Sequence, residues 1–129
     1  MNEIKQKRSV LYIEDNPANL RLITQMLETL PNVEVLGALE PTLGLELAER
    51  HVPNLILLDI NLPEMDGYEV FKKLRNNDTT CHIPVFAISA NVMPKDLQKS
   101  EKAGFDRYIT KPINVRDVLT LVESQLSKT

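Results

Sequence analysis

Residues 55–63 read LILLDINLP, so that four apolar residues end abruptly at Asp59 and a turn-forming Asn-Leu-Pro follows. A short apolar run bounded by turn residues is typical of a strand that is buried on both faces of a parallel sheet. An acid at the carboxyl end of such a strand lies where open α/β sheets bind their ligands. This stretch therefore predicts a buried strand that carries Asp59 into a candidate site.

The same pattern of strand and helix recurs along the chain. Strand patterns occur at 9–13, 33–38, 55–58, 84–88 and 107–109. Helical spacing follows each strand, at a segment opened by Asn16-Pro17 and at 41–51, 67–76, 94–103 and 114–126. Alternating strands and helices indicate a parallel sheet covered on both faces. We expect a flavodoxin-like (βα)5 three-layer sandwich with strand order 2-1-3-4-5, whose switch point lies between strands 1 and 3.

The spacing of apolar residues predicts which helix faces are buried. In the first helix, steps of 3, 4 and 3 form a stripe of Leu20, Ile23, Leu27 and Leu30. Such a stripe faces the core, and it leaves Leu22 and Met26 outside. In the last helix we expect burial of Val115, Val118, Leu119, Val122 and Leu126.

Composition restricts the class of protein. The chain has 129 residues, is 43% hydrophobic and carries a formal net charge of −3. We expect one domain over 1–129, with 1–8 as a polar N-terminal extension that lacks the apolar core of a signal peptide. Scattered basic residues argue against direct nucleic-acid binding, and apolar runs are too short to cross a membrane. The lone Cys81 suits a reducing compartment, which predicts a cytoplasmic protein.

Polar side chains follow four of the predicted strands. Glu14 and Asp15 follow the first, Asp59 the third, Ser89 the fourth and Lys111 the fifth. Each one alone has a simpler explanation as a cap, a turn residue or a solvated lysine. Together they form a set suited to phosphoryl transfer, because clustered carboxylates favour Mg²⁺ and an aspartate can attack phosphorus.

Four motifs resemble a known family. They are YIEDN at 12–16, LLDINLPEMDGYE at 57–69, ISA at 88–90 and GFDRYITKP at 104–112. Over essentially its whole length the chain resembles the receiver domain of two-component response regulators, and most closely the receivers of hybrid sensor histidine kinases. Small departures are Leu62 where Met is commoner and the sequence EPTLG at 40–44, where the family has small residues at the start of the second helix.

The resemblance implies roles for particular residues. Asp59 is expected to be the phosphoacceptor, and Mg²⁺ is expected to bind Glu14, Asp15, Asp59 and the backbone carbonyl of Asn61. The side chains of Lys111 and Ser89 are expected to contact the phosphoryl group. Tyr108 matches an aromatic residue that switches position in the family, and the Lys111-Pro112 bond is expected to be cis.

The resemblance also implies partners. The donor is expected to be the phosphohistidine of a histidine kinase or a histidine phosphotransfer protein, and the readout a downstream protein. The chain is not expected to be an enzyme, beyond slow autodephosphorylation. The fourth helix, Tyr108 and the last helix are the expected signalling face. The oligomeric state is left open between a monomer and a phosphorylation-linked dimer through the fourth and fifth helices.

The sequence leaves several alternatives to compare. Leu22 and Met26, at i and i+4, either dock the phosphodonor or pack against the following loop. A flavin-binding module is disfavoured because the loop at 14–17 is acidic where phosphate would need amides. An aspartyl phosphatase is disfavoured because Asn61 stands where a general acid is needed. A phosphorylation-independent docking module of the same fold remains as the alternative function.

Overall fold

The computed structural model describes residues 7–62, 65–90 and 93–128, with the backbone alone at 96, 97 and 100. Residues 1–6 of the predicted extension and residues 63 and 64 of the second motif lie outside these ranges. Within them the chain forms five strands and five helices. These are β1 (Arg8–Ile13), α1 (Pro17–Leu27), β2 (Val33–Ala38), α2 (Pro41–His51), β3 (Leu55–Asp59), α3 (Gly67–Arg75), β4 (Val85–Ser89), α4 (Pro94–Ala103), β5 (Arg107–Thr110) and α5 (Val115–Leu126).

The strands form one parallel sheet in the order β2-β1-β3-β4-β5. This confirms the predicted flavodoxin-like fold and its switch point. β1 and β3 are neighbours in register, with Ile13 opposite Leu58. As a result, the residues that follow Ile13 and Leu58 leave the sheet side by side at its carboxyl edge.

The core lies in two layers, one on each face of the sheet. Successive residues of a strand point to opposite faces. Accordingly, Val10 and Tyr12 pack under α1 and α5, while Leu11 and Ile13 pack under α2 and α3. β3 is buried along its whole length. Burial on both faces explains why its sequence is a continuous apolar run and does not alternate.

Two burial predictions were wrong, one in α1 and one in α5. Met26 is only 8% exposed, because α1 packs against both the sheet and the neighbouring α5 and buries Ile23, Met26 and Leu27 together. Val115 is 47% exposed, because it is the first residue of α5 and the buried stripe starts one turn later at Val118.

Two further residues at the ends of the α1 stripe are less buried than predicted. α1 ends at Leu27, and its cap residue Glu28 donates its backbone N–H to Met26 O and Thr24 O. Leu30 therefore lies beyond the helix and is half-buried against the core, as is Leu20 at the other end. Leu22 remains outside the core, with 58% of its surface exposed.

Local signals position the loops at the carboxyl edge. Asn16, Asp66 and Asn114 cap α1, α3 and α5 through their side chains. A Cβ at Gly67 would lie 2.6 Å from Ile60 Cα, so only glycine allows α3 to begin so close to the residue after Asp59. The Lys111-Pro112 bond is cis, as predicted.

Of the helices in the described part of the chain, none has both the length and the apolar character that crossing a bilayer requires.

Candidate functional site

Three carboxylates meet where β1 and β3 end. Glu14 follows β1 and is 1% exposed, Asp59 ends β3 and is 2% exposed, and Asp15 is exposed to solvent. A carboxylate oxygen from each lies within 4.8 Å of the others. The structure thus brings together the three acids that the sequence predicts for a metal site.

Lys111 reaches these acids from the loop between β5 and α5. Its Nζ atom lies 2.9 Å from Asp59 Oδ2 and 3.5 Å from Glu14 Oε1. The backbone N–H of Lys111 donates to Ser89 O at 2.8 Å, which ties this loop to the end of β4. We call Glu14, Asp15, Asp59 and Lys111 the acid pocket.

Burial and neighbouring charges shift the pKa values of Glu14 and Lys111. Burial and then the hydrogen bond and charge of Asp59 raise the pKa of Glu14, although Asn16 N–H and the Tyr12 hydroxyl donate to its carboxylate. Burial alone would lower the pKa of Lys111, but the hydrogen bond and charge of Asp59 and the charge of Glu14 raise it. The pocket therefore holds more negative charge than one ammonium group neutralises.

Tyr12 contacts the acid pocket, a role that was not predicted from the sequence. Its hydroxyl donates to Glu14 Oε1 at 3.0 Å, and the side chain is fully buried. Burial and the charge of Glu14 raise the pKa of Tyr12 far above its usual value, so it stays a donor. The available signal was the spacing of Tyr12 and Glu14, because residues i and i+2 of a strand share a face.

Ser89 and Asn61 meet beside Asp59. The backbone N–H of Asn61 donates to Asp59 Oδ1 at 2.9 Å, and the hydroxyl of Ser89 donates to Asn61 Oδ1 at 3.1 Å. This contact follows from the pairing of β3 with β4, which places Asp59 opposite Ile88. Tyr108, the predicted switch residue, is half-buried on β5 and pairs with Ala87 of β4. Two residues further along the same strands, Thr110 pairs with Ser89.

Comparison with known proteins identifies the family. The family model described as the response regulator receiver domain matches residues 10–123. The chain therefore belongs to the response regulator receiver domain family, a family of two-component signalling proteins.

Curated relatives agree with this assignment. The chain is 38% identical over 119 residues to the polar-differentiation response regulator DivK of Brucella anthropi, covering 92% of this chain and 96% of that protein. It is 37% identical to DivK of Brucella ovis with the same coverage.

Solved structures of receiver domains share the fold. A CheY-like receiver domain protein from Methanospirillum hungatei superposes with a TM-score of 0.85 at 30% identity, covering 95% of this chain and 96% of that one. The receiver domain of the sensor histidine kinase PA1611 from Pseudomonas aeruginosa superposes with a TM-score of 0.84 at 27% identity, covering 94% and 98%. That structure has a magnesium ion coordinated in its active-site cleft.

Proposed function

We propose that this chain is a phosphoacceptor, and that Asp59 takes a phosphoryl group from the phosphohistidine of a histidine kinase or a histidine phosphotransfer protein. The observation that supports this most strongly is the 2.9 Å contact of Lys111 Nζ with Asp59 Oδ2, beside two further acids. An isolated structural ion pair would not need Glu14 and Asp15 at the same point.

The residues of the acid pocket fit Mg²⁺. They offer oxygen ligands only, and Mg²⁺ binds through one or two carboxylates while it keeps several waters. Glu14 and Asp59 are buried like charges whose repulsion a divalent cation would relieve. Glu14, Asp15 and Asp59 would hold the ion together with the backbone carbonyl of Asn61, and the exposed position of Asp15 leaves a side open to solvent.

The proposed transfer forms one bond and breaks one. An oxygen of Asp59 attacks phosphorus, the bond between phosphorus and the histidine nitrogen breaks, and the imidazole leaves with that electron pair. Mg²⁺, when bound, supplies positive charge to the phosphoryl oxygens. Lys111 supplies a second positive charge at the oxygen of Asp59 that it already contacts. The Ser89 hydroxyl, held by Asn61 Oδ1, becomes available to donate to a phosphoryl oxygen.

The proposed output is a change in protein binding. Movement of Ser89 toward the phosphoryl group would bias the position of Tyr108, and α4, β5 and α5 would present the altered surface to a downstream protein. Hydrolysis of its own aspartyl phosphate would be slow, and we propose no other enzymatic activity for the chain. The exposed Cys81 without a disulfide suits a cytoplasmic location.

Leu22 is the residue through which we propose that the donor docks. It is 58% exposed on α1, whereas Met26, its predicted neighbour in the docking patch, is buried. Leu22→Glu should slow transfer from a histidine phosphotransfer domain that phosphorylates the unaltered chain. It should leave phosphorylation by acetyl phosphate unchanged; equal slowing of both reactions would contradict docking at Leu22.

The test of the proposed function is the intact mass after incubation with Mg²⁺ and acetyl phosphate. One added phosphoryl group is expected, and it should be absent with Asp59→Asn and with EDTA. Asp78→Asn is the matched control, because Asp78 is an exposed aspartate remote from the pocket in sequence, and it should be modified normally.

Two outcomes would contradict phosphorylation at Asp59. An adduct that persists in Asp59→Asn would place the modification elsewhere. No adduct in the unaltered chain, together with no binding of beryllofluoride, would favour a docking module that works without phosphorylation.

A further inference from the structure

A group of lysines lies along the junction of α3 and α4, away from the acid pocket. The Nζ atom of Lys99 on α4 lies 4.2 Å from the ring centroid of Tyr68 on α3. The Tyr68 ring in turn packs edge-on against Phe105, with their centroids 5.6 Å apart. These contacts establish which side of each helix faces the other.

Other lysines share that side. On α4, Lys95 and Lys102 lie at i−4 and i+3 from Lys99, so all three are on one face of the helix. On α3, Lys72 lies one turn after Tyr68 on the same face. All four lysines are exposed. We call Tyr68, Lys72, Lys95, Lys99 and Lys102 the lysine seam.

The opposite side of α3 faces α2 and differs in character. Asn77, just beyond α3, donates through Nδ2 to Glu49 Oε2 of α2 at 3.2 Å. Lys73 lies five residues after Tyr68, about 140° further round the helix, so it is not on the face that carries Tyr68. Lys72 and Lys73 are thus adjacent, equally charged and exposed, but only Lys72 belongs to the seam.

We propose that the lysine seam binds a short acidic segment of a protein partner. Four exposed ammonium groups gather there in a chain whose formal net charge is −3, so the seam is a local positive field on an acidic protein. The half-buried rings of Tyr68 and Phe105 offer an apolar contact between the charges. This combination fits carboxylates flanking an apolar or aromatic side chain.

A protein segment fits better than nucleic acid. Exposed Glu101 lies on another face of α4, and exposed Glu69 lies three residues before Lys72 and borders the seam, so acidic surface adjoins the lysines. A long polyanion would extend past the lysines onto acidic surface, whereas a short peptide would not. The seam contains none of the acid-pocket residues, so its binding can be tested on the unphosphorylated chain.

The test is fluorescence anisotropy with a short labelled peptide of Asp and Glu residues around one Phe, using the metal-free full chain at low salt. A matched peptide with Asn and Gln in place of the acids is the negative probe. We expect the acidic peptide alone to bind, and Lys72→Glu or Lys99→Glu to weaken it by about fivefold or more. Lys73→Glu, which changes the net charge equally, should change affinity by less than about twofold.

Three outcomes would overturn the proposal. One is absence of binding by the acidic peptide at low salt. Another is equal weakening by all three substitutions, which would show a response to net charge alone. The third is tighter binding of labelled single-stranded DNA with the same dependence on Lys72 and Lys99, which would make the seam a nucleic-acid surface. Thermal unfolding of each variant verifies folding, and Lys72→Glu tests the seam without removing the contact between Lys99 and Tyr68.

Discussion

The acid pocket and the lysine seam are both clusters of charge, yet they differ in how far their charges are removed from water. Glu14 and Asp59 are 1% and 2% exposed, and the pKa of Glu14 is raised. The seam lysines are exposed, so water and salt screen them from one another. A change of charge should therefore alter stability in the acid pocket, whereas in the lysine seam it should alter only binding.

The largest stability effect is expected from Lys111→Met. It removes the ammonium group that contacts Asp59 and Glu14 and leaves both buried carboxylates without their cation. Lys111 is 27% exposed, so we expect a loss of about 1–3 kcal/mol, less than for a fully buried pair. Urea unfolding in EDTA measures it. An unchanged midpoint would mean that water already screens the pocket.

Glu14→Gln should act in the opposite direction. It removes one of two neighbouring buried negative charges, so the metal-free protein should gain about 1 kcal/mol at neutral pH. It should also raise the Mg²⁺ concentration needed for half-maximal thermal stabilisation by about tenfold. Melting curves over a Mg²⁺ titration measure both effects. Asp78→Asn, an acid removed elsewhere, should change neither.

The difference in stability between the unaltered chain and Glu14→Gln should depend on pH, because the pKa of Glu14 is raised. The metal-free folded chain holds the Glu14 proton more tightly than the unfolded chain does, so this group's contribution to stability falls as pH rises. This fall occurs over a pH range that starts near 4.5, the ordinary pKa of Glu14, and extends through its raised pKa. The stability advantage of Glu14→Gln should therefore grow across that range. A constant difference would contradict the raised pKa.

Tyr12→Phe should have a smaller effect. The substitution removes the hydroxyl that donates to Glu14 Oε1 at 3.0 Å and keeps the buried ring. Loss of one buried hydrogen bond to a carboxylate should cost about 1 kcal/mol, and the pKa of Glu14 should rise further. Urea unfolding compares the two proteins. Equal stability would indicate that a water molecule replaces the hydroxyl.

The smallest effect is expected in the seam. Lys72→Glu and Lys73→Glu should each change the free energy of unfolding by less than about 0.5 kcal/mol, because both lysines are exposed. The two variants should differ only in their affinity for an acidic peptide. A large stability change for Lys72→Glu alone would contradict the distinction between the pocket and the seam.

Much of the fold could be predicted from the sequence. The run from Leu55 to Leu58 is apolar because β3 is buried on both faces, and the caps Asn16 and Asn114 begin α1 and α5. The acids of the site could be predicted as well, since each follows a strand and parallel strands end at one edge.

Other features could not be predicted, because they depend on packing between elements. Met26 lies outside the apolar stripe of α1 but is buried, since α5 covers the adjacent face. Val115 lies in the stripe of α5 but is exposed at its first turn. Helical periodicity specifies which residues share a face, but neighbouring elements decide how much of that face is covered.

By itself the sequence determined the alternation of strands and helices and the chemical groups that end each strand, because these depend on residues close together in the chain. The tertiary structure alone decided that Lys111 Nζ lies 2.9 Å from Asp59, that Tyr12 donates to Glu14, and that Lys99 of α4 lies over the Tyr68 ring of α3. These relations depend on strand register and on the rotation of each helix against the sheet, which only the packed core specifies.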